Sequence, residues 1–156
     1  MRHRLAVALL VASACGTDSG GSQALVDLDA DGYARDVHPI LEARCATLDC
    51  HGVGDRPLRL YAETGLRARD ELRDQPIAPE ELAADVRAIE AIDPGALPGD
   101  SLFIAKPSGG VFHEGGILWV SRGDPQLVCV LAWLSGTSDA EACAVAADQV
   151  ELPPPP

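Results

Sequence analysis

Methionine is absent after Met1, and aromatic side chains are few: two Trp, two Tyr and two Phe in 156 residues. The first absence removes every thioether side chain as a metal ligand once the initiator segment has gone. The second leaves the chain little large apolar surface with which to build a core unaided. Long hydrophobic runs are missing as well. The apolar run from Leu5 to Ala14 is too short to span a bilayer as a helix, which takes about 20 residues, so membrane attachment, if any, is through lipid only. Positive charge is also short, with 12 Lys and Arg against 24 Asp and Glu and a net charge of −12. Such a surface is repelled by nucleic acid and by anionic lipid, which argues against a nucleic-acid partner and suits basic ones. No hydrolase triad, nucleotide-binding loop or internal repeat is present.

The two ends read as export and anchoring signals. Met1-Arg2-His3-Arg4 is basic, an apolar stretch follows, and Ala12-Ser13-Ala14 supplies small residues before Cys15, so residues 1–14 read as a signal peptide. Cysteine directly after Ala-Ser-Ala resembles a bacterial lipobox, which makes Cys15 the lipidated first residue of the mature chain. A free, exposed thiol there is otherwise a liability; ordinary cleavage beside Cys15 would instead give a soluble secreted protein. Residues 15–30 read as a lipid-anchored flexible tether, small and polar over Gly16–Gln23. Residues 31–147 are long enough for one domain with one core, and 148–156 form a proline-rich tail. The expected location is the cell envelope, lipid-anchored, on the periplasmic side or the cell surface. Without the leader's Arg2 and Arg4, ten basic residues face 24 acidic ones, a net charge of −14.

An exported chain meets an oxidising compartment, where free thiols are rarely kept. Cys129 and Cys143 are the natural disulfide. Cys45 and Cys50 then remain, in Cys45-Ala46-Thr47-Leu48-Asp49-Cys50-His51. Two cysteines followed directly by histidine is the arrangement that holds c-type haem: the thiols add to the vinyl groups and the adjacent imidazole lies under the iron. The usual spacing has two residues between the cysteines; here there are four. Without methionine, the second axial ligand must come from His38 or His113. His38 lies seven residues before Cys45 at the entry to the same helix and reads as a capping residue. His113 stands in the glycine-rich stretch Ser108–Gly116, with two glycines on either side, and such a backbone can curl over the iron. His51 and His113 are therefore the expected metal ligands, with haem c on Cys45, Cys50 and His51. With both axial positions filled, the expected role is electron carrier rather than enzyme, working with a redox protein partner.

Three other readings use the same residues. A Cys45–Cys50 bridge would make a disulfide-stapled, non-haem lipoprotein domain with a binding or structural role. A redox-active dithiol normally has two intervening residues in a βαβ setting. Zinc on Cys45, Cys50, His51 and His113 is disfavoured because the adjacent Cys50 and His51 point apart.

Mostly helical structure with long loops is expected. Asp27–Gly32 begins like a calcium-binding loop, but its twelfth position is His38 rather than Glu, so its acids read as helix caps. A helix over Tyr33–Cys45 should start near Asp36–His38, with Pro39 in its first turn. Leu58–Tyr61 is extended or opens a helix, and Leu66–Asp74 has charged helical character. Pro79–Ile92 is a clear helix with apolar residues at 82, 86 and 89. Ser101–Lys106 is a short apolar segment. Asp124-Pro125 opens the last helix, which carries Leu127, Val128, Leu131, Ala132, Trp133 and Leu134 and ends at Gly136. The first helix and the Trp133 helix are expected to cross and close the haem edge, while Phe103, Phe112 and Trp119 keep water out.

Val37-His38-Pro39-Ile40-Leu41-Glu42-Ala43-Arg44-Cys45, then Cys50-His51-Gly52 and Leu58-Arg59-Leu60, resemble the cytochrome c-like domains of planctomycete and myxobacterial exported proteins. Ser101–Pro107, His113-Glu114-Gly115-Gly116, Asp124-Pro125 and Trp133-Leu134-Ser135-Gly136 follow in that pattern's order, so the resemblance covers most of residues 36 to 137. It implies a small helical domain folded around covalent haem, thioethers at Cys45 and Cys50, proximal His51 and a distal role for His113.

Overall fold

The computed structural model describes residues 27–150. The signal peptide, the lipidation candidate Cys15, most of the tether and the polyproline tail lie outside the described residues. Asp29 opens the first helix by accepting the N–H of Asp31 at its N-terminus. From there the chain is helical without interruption through α1 (Ala30–Gly32), a π-helical stretch (Tyr33–Val37) and α2 (His38–Arg44). This corrects the expected start near Asp36–His38. Pro39 cannot donate to the ladder and its ring crowds the carbonyl four residues back. The backbone absorbs both faults by widening: the His38 N–H reaches five residues back to Tyr33 O. Burial of Tyr33, Val37, Ile40 and Leu41 outweighs the local preference to begin at the proline.

Three further helices follow α2 with capping that the sequence explains. In α3 (Pro79–Ile92), proline occupies the first turn and Glu81 reaches back to the Ala78 N–H. In α4 (Leu102–Ala105), Ser101 caps Phe103 N, and in α5 (Pro125–Leu134), Asp124 caps Gln126 N. α5 is not the last helix: α6 (Ala140–Asp148) follows, capped by Asp139. The α5–α6 hairpin is joined by the Cys129–Cys143 disulfide, as expected. The Leu66–Asp74 segment forms only a 3-10 turn at Asp70–Leu72, because its charges are used in tertiary pairs rather than along a helix. Leu58–Tyr61 is extended, and no strand occurs among the described residues beyond an isolated bridge between Tyr61 and Leu66.

α1, the π stretch and α2 cross α5 and α6, and Tyr33 packs on Trp133 with ring centres 5.2 Å apart. Trp133 donates its indole N–H to Asp29 O, 2.8 Å away. It therefore fastens the entry of the first helix instead of closing a cofactor edge as expected. No helix among the described residues is long and apolar enough to cross a membrane.

Candidate functional site

α2 ends at Arg44, and both Cys45 N–H and Ala46 N–H donate to Leu41 O at 2.7 and 2.8 Å. The chain then folds back on itself. Cys50 and Gly52 donate to Thr47 O, and His51 donates to Cys45 O, each at 2.9 Å. The four-residue spacing is taken up by an outward turn whose tip, Leu48 and Asp49, is exposed. Cys50 and His51 are thereby returned beside Cys45. Two glycines make the knot possible: a Cβ on Gly52 would lie 2.1 Å from Ala46 O, and one on Gly65 2.6 Å from the same atom.

This knot forms one wall of a cavity of about 940 Å³, at the upper end of ordinary small-molecule sites. Cys45, Cys50 and His51 line it on one side and His113 on another. All four residues expected at the cofactor thus meet in one place. Ala88, Ala91 and Ile92 of α3, Leu102 and Phe103 at α4, and Trp119 supply apolar walls. Cys45 and Cys50 are free thiols. Burial, reinforced by the neighbouring Cys50, pushes the Cys45 thiol up to about 12, so it is no ready nucleophile of the dithiol-exchange kind.

The two histidines are held alike. His51 Nδ1 lies 3.0 Å from Leu58 O, and His113 Nδ1 lies 2.9 Å from Gly116 O. A carbonyl oxygen can only accept, so each Nδ1 carries a proton and Nε2 is the ring nitrogen not used in that bond. The rings are 6.2 Å apart, centre to centre, and within 8° of parallel. Burial lowers the His51 pKa against the raising effect of the Leu58 carbonyl, and the neighbouring His113, Arg56 and Lys106 lower it further. No cluster of three or more His, Cys, Asp or Glu in metal-holding reach occurs among the described residues. The two histidines stand together as a pair beside the cavity.

His38 lies elsewhere. It is buried rather than capping, with Nε2 3.1 Å from Tyr61 O and its ring edge-on to Tyr33. Trp119 is 2% exposed and lines the cavity, as expected, whereas Phe112 is exposed and does not keep water out. Two features of the site were not read from sequence. The indole N–H of Trp119 has no partner. Arg56, Arg59 and Lys106 also line the cavity, a gathering of cations in a strongly acidic chain. The small residues Ala88 and Ala91, set off from the core positions 82, 86 and 89 of α3, were the available signal for a second face. No family model, curated protein or solved structure matches the chain.

Proposed function

We propose that this chain is an exported, lipid-anchored c-type haem protein that carries electrons, with a cytochrome c-like domain as its folded part. The observation that carries the reading is the paired geometry of His51 and His113 on a cavity that also presents Cys45 and Cys50. The two rings lie 6.2 Å apart and near-parallel, and a backbone carbonyl anchors each at Nδ1, so His51 and His113 are the residues that would hold the iron.

Haem c bound there would supply a one-electron iron couple. The residues' own tasks follow from their chemistry. Cys45 and Cys50 would hold the group covalently, each thiol adding across a vinyl group, S to one carbon and H to its neighbour, with no leaving group. The backbone anchors of His51 and His113 engage Nδ1, so Nε2 is the nitrogen each would offer to the metal. Phe103, Trp119 and the α3 face exclude water. The partnerless Trp119 N–H and the cations Arg59 and Lys106 suit the carboxylates such a ligand carries. Two nitrogen ligands leave no open position for oxygen or peroxide, which favours electron transfer over catalysis, at a lower potential than histidine with methionine would give. The acidic surface suits a redox protein partner that presents a basic face. Cys15 would hold the molecule at the cell envelope, facing the periplasm or the cell exterior.

The test is a pyridine haemochrome spectrum of denatured protein, made behind its own leader in a host with c-type haem maturation. Covalent haem is expected in the parent chain and lost in Cys45→Ala/Cys50→Ala. Absence of haem, with Cys45 and Cys50 joined to each other, would leave a stapled lipoprotein domain and overturn the reading.

A further inference from the structure

The stretch that carries His113 is held by very little. Its base is pinned to α4 and the residues after it: Gly110 and Val111 donate to Ala105 O, and Leu118 and Trp119 donate to Pro107 O. Between these anchors, the backbone and ring bonds of residues 112–117 are internal, His113 Nδ1 to Gly116 O and Gly116 N–H to His113 O. Among the hydrogen bonds of the described residues, one joins this tip to the rest of the molecule: Arg56 Nη1 to Glu114 Oε2, at 2.8 Å. Arg56 follows the His51 knot by a few residues and Glu114 is adjacent to His113. The pair thus bridges the two segments that bear the two histidines. It is solvent-exposed, and the stretch turns at Gly109 and Gly116, both at positive φ (81° and 77°).

We propose that Arg56 and Glu114 are positioning residues for the second axial ligand, and that opening this ion pair lets a small neutral molecule of the carbon monoxide class take the place of His113. The inference rests on the haem reading above. The exchange balances without redox chemistry: the coordinate bond from His113 Nε2 would break and one from the incoming carbon would form, with no proton or electron gained or lost. The domain would then bind a diatomic ligand when unclasped and carry electrons when clasped. Exposed ion pairs are weak and screened by salt, which suits an element that must open.

The experiment measures carbon monoxide association with the reduced, haem-loaded full chain at low and high ionic strength. Wild type should bind faster at high ionic strength. Glu114→Ala and Arg56→Ala should each bind about two- to five-fold faster at low ionic strength and lose the salt dependence, with a low-spin spectrum before ligand is added. The charge-swapped Arg56→Glu/Glu114→Arg should return towards wild type, which a merely structural role would not require. Amide hydrogen exchange over residues 112–117 should quicken in the two single variants. Equal rates in all four proteins, with haem present by haemochrome, would overturn this inference alone; a chain that takes up no covalent haem overturns the functional reading and this inference together.

Discussion

Two regions of the molecule satisfy their polar groups in opposite ways. On the frame side, buried charge is fully partnered. Glu81 is wholly buried and accepts from the Arg67 guanidinium and from the N–H groups of Ala68 and Ala78. Asp85, one turn on, accepts from Tyr33 Oη at 3.0 Å and Tyr61 N–H at 2.9 Å. On the cavity side, Trp119 keeps an indole N–H with no partner, two thiols stand free, and apolar walls enclose about 940 Å³. A buried polar group without a partner costs free energy. The buried carboxylates of the frame are met by the chain's own donors, whereas the cavity side leaves an indole N–H and two thiols without protein partners. Folding stability should therefore reside in the first region and cofactor dependence in the second.

The largest effect should come from breaking the frame. Arg67 is buried with Glu81 and also donates to Leu72 O and Gln75 O, tying the Leu66–Pro76 segment to α3. Arg67→Ala leaves a buried carboxylate without its cation and should cost ~3–5 kcal/mol, read as a fall in the urea midpoint. Arg69→Ala is the internal control: its pair with Glu80 is exposed on both sides and should cost below about 1 kcal/mol. Similar losses in the two variants would erase the distinction between partnered burial and surface pairing. A smaller and more local effect is expected from the cavity side. Gly52→Ala drives a Cβ against Ala46 O and should cost about 2 kcal/mol. Amide exchange should quicken in residues 45–60 while α5 and α6 stay protected, and covalent haem yield should fall.

How much of this was legible in the sequence differs between the same two regions. The convergence of Cys45, Cys50, His51 and His113 was readable because each residue type announces its chemistry and the glycines around His113 announce a loop. The disulfide was readable from export, since an oxidising compartment rarely leaves thiols free. α3 was readable because proline starts it and its apolar period is regular. The frame's polar contacts were not readable, because they join residues far apart in sequence: Tyr33 to Asp85, Arg67 to Glu81, His38 to Tyr61. His38 looked like a cap because its partner lies 23 residues away. The π stretch escaped because local preference places Pro39 at a helix start, and only the burial of Tyr33 and Val37 decides otherwise. α6 escaped because Gly136 reads as the end of the last helix, although Asp139 signals another cap.

Glu81 and Asp85 refine the account of the frame, since neighbours on one helix are shifted in opposite directions. Burial raises both, but in Glu81 the bonds from Arg67, Ala68 and Ala78 prevail and its pKa falls to about 2. In Asp85 burial prevails over the bonds from Tyr61 and Tyr33, helped by the negative fields of Glu81 and Glu42, and its pKa rises to about 7. Glu81 therefore adds stability that is complete above its unfolded value near 4.5 and is lost as pH falls towards 2. Asp85 acts in the other direction. Between its ordinary value of 3.8 and about 7 the folded chain holds a proton that the unfolded chain has released, so stability declines as pH rises through that window, by about 1 kcal/mol per pH unit. These two groups together place a stability maximum between about pH 4 and 5. Asp85→Asn removes the declining limb and leaves the rising one. Because Asn lacks the carboxylic O–H, the variant should be less stable than wild type at the acid end, and its deficit should shrink as pH approaches 7. Urea midpoints measured across that range check this. A deficit that stayed constant with pH would mean that Asp85 keeps an ordinary carboxylate in the fold, and that the frame tolerates a buried charge held only by a phenol and one backbone amide.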